Sequence, residues 1–452
     1  MKHYEMDMCT GPLWKKILIF SVPLMFSNIL QIVFNISDVA VVGKFAGPIA
    51  LGAVGSTSIL ITLSTGLLLG LSSGVNALTA LYIGARNRDG VKKTVHTSAL
   101  LMAAAGIAIM AVGIVFARMI LTAMHTKEEL IEGAVCYLRI YLFGTPALAM
   151  FNFGNAVLSA AGDTRRPLNY LTLAGIVNVA LNLFFVIALH MGVMGVALAS
   201  IISQYISAVL VLRLLLRSQE EIFALRTDCL KIDRGILLRI LRIGVPSAIQ
   251  YALFAVANLF VQTSVNYFDH VMVEGNSAAA NSDPLVYDMM AAFYTACTSF
   301  LAQNMGAKKR ERMRQSFYIC TIYSFGLGLF LGVGIYVLRY PFLALFTNEQ
   351  AVVDAGIRRI SVMALSYCVS AFMDCTIAAS RGLGKTIVPM LIVTAGSTVF
   401  RLIWIWTVFA HFRTIESLYL LYVFSWVITG AAELVYFGRA FRKVTFLGED
   451  AG

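Results

Sequence analysis

The chain has 452 residues, of which 59% are hydrophobic and only 13% are charged. Soluble domains carry about 25% charged residues, so this composition excludes an ordinary water-soluble fold and indicates a polytopic membrane protein. The formal net charge of +11 would suggest a nucleic-acid partner in a soluble protein. In a membrane protein, loop lysines and arginines set the topology instead, and we expect no nucleic-acid partner. The seven cysteines form no CxxC pair or His/Cys cluster, so we expect neither a metal site nor a disulfide framework.

Twelve apolar stretches are long enough to cross a bilayer as helices, which requires about 20 residues each. The first six cover roughly 14–40, 55–83, 94–119, 134–161, 167–190 and 193–216. The second six cover roughly 236–268, 284–305, 316–338, 355–380, 387–410 and 417–438. The sequence therefore predicts an all-α integral membrane fold with twelve transmembrane helices, embedded in the lipid bilayer.

The loops between these helices alternate in charge. Basic loops follow the second, fourth, sixth, eighth and tenth helices, as in Arg86–Lys93 and Lys308–Arg314. The opposite loops are poorer in basic residues, and one of them is the acidic 269–288 segment. The positive-inside rule places both termini in the cytoplasm of a multi-pass protein of the cell (plasma or inner) membrane.

Several short motifs recur in the second half of the chain in the same order, at offsets of 221 to 223 residues. The clearest are Val22-Pro23 with Val245-Pro246, and Gly162, Thr164 and Pro167 with Gly384, Thr386 and Pro389. They predict an N-terminal six-helix lobe (1–216), a cytoplasmic linker (217–235) and a C-terminal six-helix lobe with a short tail (236–452). Six helices per lobe imply a pseudo-twofold axis along the membrane normal and a central cleft. This arrangement favours an alternating-access transporter over a structural membrane protein.

Asp38 is the one acid in the apolar stretch 17–55. A carboxylate at membrane depth costs at least a few kcal/mol unless it is neutralised, paired or hydrated. Gln31, Asn35 and Asp38 lie at i, i+4 and i+7 and so share a helix face. Along a straight helix Asp38 lies roughly 33 Å beyond Lys16, near the outer surface and above Asn182. Tilt, a kink at Pro23 or a helix that starts inside the cytoplasm would place it lower, and the sequence does not decide between these.

Other polar residues of the first lobe lie within its apolar stretches. They are Asn152 and Asn155 in the fourth helix, Asn178 and Asn182 in the fifth, and Ser200 in the sixth. Together with Asp38 they can form a cavity that holds a dehydrated Na⁺ or lets Asp38 exchange a proton. The alternative is that they only hydrogen-bond neighbouring helices to one another.

The second lobe does not repeat the acid, because the residue that matches Asp38 is about Val261. Two other charged residues are candidates for a site in this lobe. Asp374 lies near the cytoplasmic end of the tenth helix, where hydration or a salt bridge could also explain it. Arg401 lies deeper, in the eleventh helix, and can contact an anionic group or backbone carbonyls.

The motifs together resemble those of the MATE (multidrug and toxic compound extrusion) transporters. The run from Pro23 through Asp38, Val42-Gly43 and Ala53-Val54-Gly55 is similar to the family's first helix. The other similar motifs are Ile83-Gly84-Ala85, Gly162-Asp163-Thr164 with Pro167, Asn178 with Asn182, Gln303-Asn304 with Gly306-Ala307, and Arg381-Gly382-Leu383-Gly384. The resemblance is strongest to the prokaryotic DinF-type branch.

This resemblance implies secondary active antiport, driven by H⁺ or Na⁺, that exports amphipathic and often cationic organic compounds without a cofactor. It implies a cation or proton site at Asp38, Asn178, Asn182 and Ser200, with Asn155 nearby. It also implies a substrate cavity, to which we assign Gln31, Phe34, Asn35 and Asn152. Related sequences often have Asp where this chain has Asn182, which makes proton coupling through Asp38 more plausible than in those relatives. We expect the protein to act as a monomer.

Two other functions are alternatives to this prediction. A flippase for lipid-linked precursors, from the same superfamily, would favour a cationic cleft for pyrophosphate, and Arg401 is the one strong intramembrane candidate for it. An integral membrane enzyme would need paired catalytic residues near one membrane face, and the sequence shows no such pair. We therefore predict a transporter rather than an enzyme.

Overall fold

The computed structural model describes residues 6–218, 222–444 and 446. The first helices are α1 (Leu13–Val41), α2 (Pro48–Gly84), α3 (Arg88–Ala123), α4 (Glu128–Leu142), α5 (Thr145–Ala160), α6 (Arg165–Leu183) and α7 (Gly192–Arg217). The later helices are α8 (Arg234–Val265), α9 (His270–Ala280), α10 (Ser282–Gly306), α11 (Arg310–Val337), α12 (Arg339–Ala344), α13 (Gln350–Gly382), α14 (Ile387–Val393), α15 (Phe400–Trp404), α16 (Ala410–Phe412) and α17 (Ile415–Arg442).

Short π-helical segments continue several of these helices. Val42–Ala46 extends α1, and Phe184–Ala188 extends α6. Thr394–Val399 and Ile405–Phe409 join α14, α15 and α16 into one continuous span.

The predicted all-helical membrane fold is confirmed. Within the described ranges, eleven helical stretches are long and apolar enough to cross a membrane, and α4 with α5 forms a twelfth that is bent by 43°. These twelve stretches correspond to the twelve predicted helices. The predicted fourth helix is therefore two helices, with the bend between Leu142 and Thr145.

The prediction that 269–288 is an outer loop is wrong, because α9 and α10 form one span from His270 to Gly306. Asp269 begins this span as an N-cap, with its side chain accepting a hydrogen bond from the Met272 backbone N–H at 2.8 Å. A carboxylate at this position satisfies a free N–H group and interacts well with the helix dipole. Asp269, the first acid of this segment, therefore marks the start of a helix.

The described residues pack into two compact units. Unit 1 comprises Phe26–Ala248 together with Met6 and Asp7, and unit 2 comprises Met8–Met25 and the chain from Ile249 onward. Two of the three boundaries fall within helices, just beyond Pro23 in α1 and Pro246 in α8, and the third lies between Asp7 and Met8, before α1. This division by packing differs from the division by sequence repeat, and the lobe limits 1–216 and 236–452 stay a prediction.

The connection between α7 and α8 belongs to unit 1 because α3 holds it. The Arg226 backbone N–H donates to His96 Nε2 at 3.0 Å, and the Asp233 N–H donates to Thr97 Oγ1 at 3.1 Å. Arg239, in the first turn and a half of α8, donates to the Tyr82 hydroxyl of α2 at 2.7 Å. The predicted linker is therefore packed against the unit that precedes it.

Small residues bring the helices of both units close together, as is usual in membrane proteins. In unit 1, a Cβ added at Gly154 of α5 would lie 1.8 Å from Val211 Cγ1 of α7. In unit 2, a Cβ added at Gly332 of α11 would lie 1.9 Å from the Ala364 carbonyl oxygen of α13. Neither position can hold a larger side chain without separating its helices.

A buried ion pair joins α9, α10 and α13 in unit 2. Arg359 is 5% exposed and donates to Asp283 at 2.6 Å and to Asn276 Oδ1 at 2.8 Å. The Tyr367 hydroxyl also donates to Asp283, and the Arg359 guanidinium lies 5.6 Å from the centre of the Tyr419 ring. Asp283 therefore neutralises a cation that the surrounding helices have removed from solvent.

We predict that Asp283→Asn lowers the free energy of unfolding of the purified protein by about 2 kcal/mol, because it leaves Arg359 buried without its carboxylate. This is less than the roughly 3–5 kcal/mol of a fully buried pair, since the Asp283 side chain is 30% exposed. Denaturant unfolding in detergent measures the change. Glu311→Gln breaks the exposed pair with Arg314 and should cost under about 1 kcal/mol. Equal losses of unfolding free energy in the two variants would contradict the conclusion that Asp283 neutralises a buried cation.

Candidate functional site

Asp38 joins three helices of unit 1 through its carboxylate. Asn182 Nδ2 of α6 donates a hydrogen bond to Asp38 Oδ1. Ser200 Oγ of α7 donates to Asp38 Oδ2 at 3.2 Å. Each carboxylate oxygen thus accepts one hydrogen bond from a different helix, an arrangement that stabilises the ionised form of a half-buried acid.

Asn178 extends this site by one turn of α6. Its Oδ1 accepts a hydrogen bond from Asn182 Nδ2 at 3.3 Å, and both asparagines are buried. Asn182 Oδ1 is buried as well, and it has no hydrogen-bond partner among the described residues. The site therefore contains one acceptor oxygen that a protonated or otherwise rearranged neighbour could use.

The hydrogen bonds place Asp38 level with Asn182 and Ser200, and not above Asn182 as a straight helix from Lys16 predicts. The helical path of α1 continues through the π-helical segment to Ala46, so about two turns, or roughly 12 Å, follow Asp38. The acid therefore lies within its span and not at the end of it.

The Phe34 ring of α1 packs against Gly175 of α6. A Cβ added at Gly175 would lie 1.8 Å from Phe34 Cζ, so the ring occupies the space that any side chain at 175 would need. Gly175, Asn178 and Asn182 follow one another along the same face of α6. The close approach at Gly175 brings α1 near enough for Asp38 to reach Asn182.

Two tyrosines of α4 lie close to Asp38 and were not among the predicted residues. The Tyr137 and Tyr141 rings stack with their centres 6.0 Å apart. Both interact electrostatically with Asp38. Their phenols make α4 a fourth helix around the acid.

The other residues predicted for unit 1 do not join this cluster. Gln31 and Asn35 are exposed on the surface of α1. Asn152 is buried in α5 with its amide nitrogen unpartnered among the described residues, and Asn155 is half-buried. In the part of the chain that the structure describes, no hydrogen bond joins any of these four to Asp38 or its partners. Their roles stay predictions.

The two candidates in unit 2, Asp374 and Arg401, are separate. Arg401 is 2% exposed, donates to Asn258 Oδ1 of α8 at 2.9 Å and lies 4.6 Å from the centre of the Tyr422 ring. Asp374 is half-buried in α13 and interacts electrostatically with Arg381. No ion pair or hydrogen bond joins the two within the described ranges.

Glu433 of α17 is a buried acid that was not among the predicted residues. Its side chain is fully buried, and neither carboxylate oxygen has a hydrogen-bond partner among the described residues. An acid within an apolar predicted helix is the signal that identified Asp38. The same signal is present at Glu433, within the predicted helix 417–438.

The fold and the Asp38 cluster together define a polytopic helical membrane transporter. A sequence model of the family described as MatE matches residues 23–184 and 246–407, which is more than half of the chain. The chain therefore belongs to the MatE family, the MATE transporters that the sequence motifs resemble. The two matched ranges repeat each other at the spacing of those motifs.

Individual relatives agree with this assignment. The chain is 27% identical over 388 residues to the "Probable multidrug resistance protein YoeA" of Bacillus subtilis, covering 84% of this chain and 83% of that protein. It is 30% identical over 189 residues to the "DNA damage-inducible protein F" of Escherichia coli, covering 41% and 40%. The crystal structure of MATE in complex with MaL6 has a TM-score of 0.91 at 21% identity, covering 98% of this chain and 100% of that one. At this identity the structural match shows the fold alone.

We predict that Gly175→Ala lowers the stability of the protein by about 1–3 kcal/mol, the usual effect of overpacking, because its Cβ displaces the Phe34 ring. Gly55→Ala in α2 is the matched control, since nothing lies within 4 Å of its added Cβ. Gly55→Ala should raise the stability of the protein or leave it unchanged, because alanine favours a helix by up to about 1 kcal/mol over glycine. The unfolding midpoints of the two variants in detergent measure the difference. A higher unfolding midpoint in both variants would show that the Phe34 ring does not pack against Gly175.

Proposed function

We propose that the protein is a cation-coupled antiporter that exports amphipathic, often cationic organic compounds by alternating access. Membership of the MatE family and the multidrug-resistance name of the Bacillus subtilis relative support export. The observation that carries the coupling role is the carboxylate of Asp38, held inside a membrane-spanning bundle by Asn182 and Ser200. An acid kept at this depth is typical of a proton or ion pathway.

The single carboxylate at this site supports H⁺ over Na⁺ as the coupling ion. Asn182 and Ser200, which donate to Asp38, are both neutral, so among the described hydrogen-bond partners no second acid helps to balance the charge of a Na⁺ ion. A proton on Asp38 turns the carboxyl group into a donor. Rotation of the Asn182 amide would then present Oδ1, now without a partner, as its acceptor. Na⁺ stays the alternative and is tested below.

Proton binding at Asp38 acts on the substrate through α1. Neutralising the carboxylate weakens the two charge-assisted hydrogen bonds that tie α1 to α6 and α7. Gln31, Phe34 and Asn35 of α1 and Asn152 of α5 are our candidates for the substrate cavity. With both termini in the cytoplasm, Asp38 lies in the outer half of its span, where an external proton can displace bound substrate.

A flippase of lipid-linked precursors is less well supported. It would need several cations to bind a pyrophosphate group. Arg401 is buried and already bound to Asn258. The names of the relatives favour export of small molecules, and we propose that the protein acts as a monomer.

We predict that Asp38→Asn reduces proton-driven ethidium transport in proteoliposomes to the level of empty vesicles, because the amide cannot exchange a proton. The variant should still insert and elute as a folded protein, since an amide can keep the neighbouring hydrogen bonds. Asp89→Asn, at an acid in the first turn of α3 whose side chain is 71% exposed, should transport normally. Transport by Asp38→Asn at the wild-type rate would contradict the coupling role.

The coupling ion is tested by imposing a pH gradient and a Na⁺ gradient separately on the same vesicles. We expect the pH gradient alone to drive ethidium movement and ethidium movement to dissipate that gradient. Ethidium movement driven by the Na⁺ gradient alone would mean that Na⁺, and not H⁺, is the coupling ion. Ethidium movement driven by neither gradient would refute cation-coupled antiport.

A further inference from the structure

We propose that Glu433 is a second proton-binding residue, located in unit 2 and linked to Asp374 through the guanidinium of Arg381. The inference deepens the proposed function, since it adds a proton site to the one at Asp38. It rests on the position of one fully buried acid and on the charges that surround it.

Glu433 continues a polar face of α17 that is pressed against the π-helical segment Thr394–Val399. Ser425, Thr429 and Glu433 lie at i, i+4 and i+8, and all three are fully buried. Ser425 Oγ donates to the Gly396 carbonyl oxygen at 3.0 Å, and a Cβ added at Gly396 would lie 2.3 Å from Thr429 Oγ1. The helices are thus in close contact one turn before Glu433, so its carboxyl group is held in the packed interior.

Ser425 and Thr429 have hydrogen-bond partners, whereas the carboxyl group of Glu433 has none among the described residues. The Thr429 hydroxyl lies 3.4 Å from Ser397 Oγ, whereas neither Glu433 oxygen meets a donor among the described residues. An ionised carboxylate without donors or a cation would cost several kcal/mol in this position. A proton removes that cost without needing a shell of ligands. A Na⁺ ion would need several oxygen atoms that this part of α17 does not supply.

One guanidinium faces two acids at this site. Arg381 of α13 interacts electrostatically with Glu433 and with Asp374, yet it forms no ion pair within 4 Å in the described ranges. It donates to Gln250 Oε1 at 2.9 Å, and its Nε is buried without a partner. With both acids ionised the three side chains carry a net charge of −1. With one proton bound they are neutral, which is the state that a buried site favours.

The other elements that pack on Glu433 supply no competing counter-ion. α14 and the π-helical segment contain no charged side chains. Tyr436, on α17 itself, is neutral, and Arg401 of α15 is bound to Asn258. Arg310 of α11 binds the carbonyls of Phe441 and Arg442, about two turns further along α17. The protonation of Glu433 therefore depends first on its burial and then on the charges of Arg381 and Asp374.

Buried hydroxyl groups lie around Asp374. The hydroxyls of Tyr294 and Ser370 interact with the Asp374 carboxyl group, and the Ser324 hydroxyl interacts with Tyr294. Hydroxyl groups can donate and accept in turn, so this cluster can pass a proton to the half-buried Asp374. Glu433 and Asp374 thus form the inner and outer members of one site that shares a proton.

The test uses infrared difference spectra of the full-length protein in liposomes, recorded between acidic and alkaline pH. A protonated carboxyl group gives its own C=O stretching band, and Glu433→Gln keeps the side-chain shape while removing this band. We expect Glu433→Gln to lose one component that Asp38→Asn retains, and Asp38→Asn to lose another. Glu416→Gln, at an acid near the start of the same helix whose side chain is 39% exposed, is the matched control and should retain both. An unchanged spectrum for Glu433→Gln would overturn the inference.

A second variant keeps the test decisive if Glu433→Gln does not fold. Glu433→Asp retains a carboxyl group but shortens its reach toward Arg381, so the band should shift and not vanish. An unshifted band would also overturn the inference. The ratio of protons moved to ethidium moved in proteoliposomes should fall in Glu433→Gln. A Glu433 band in a protein whose ethidium transport follows neither gradient would refute the antiporter and leave the proton site standing.

Discussion

The hydrogen bonds that Asn182 and Ser200 donate to Asp38 allow a carboxylate to remain inside unit 1. Each donor comes from a different helix, so the charge on one residue determines how tightly α1, α6 and α7 are held together. The close approach of α1 and α6 at Gly175 is a precondition, because a side chain there would keep the acid away from the amide. Packing and electrostatics therefore act on the same pair of helices.

The sequence predicts the number of spans and the family, because apolar length and short motifs are local properties. It could not predict contacts between distant helices. Gln31 and Asn35 share the helical face of Asp38 by spacing, yet they are exposed, since the pairing of the acid depends on where α6 and α7 lie. A straight α1 would place Asp38 above Asn182, but the two side chains are hydrogen-bonded to each other. The acidic 269–288 segment has the composition of a loop, yet its first acid is an N-cap and the later acids lie within α9 and α10.

The two units share a repeated sequence pattern but differ in the polar groups that they bury. Around Asp38, unit 1 supplies amide, hydroxyl and phenol groups. Unit 2 buries arginines as well as acids, with the ion pair of Arg359 and Asp283 near the start of α13 and Arg381 near its end. Glu433 lies beyond residue 407, where the second match to the MatE family ends. Among the described residues of unit 2, this fully buried acid therefore lies outside the range that the family model matches.

Arg401 has a consequence for how the protein is assembled. It lies near the middle of the Ile387–Phe412 span, and an arginine at the centre of an inserting helix costs about 2.5–3.5 kcal/mol. Its hydrogen-bond acceptor, Asn258, is on α8, and its ring contact, Tyr422, is on α17. Synthesis delivers α8 to the membrane long before Arg401, while α17 follows immediately after it. We therefore expect Arg401 to find its acceptor on α8 as the span inserts, and its ring contact only when α17 has followed.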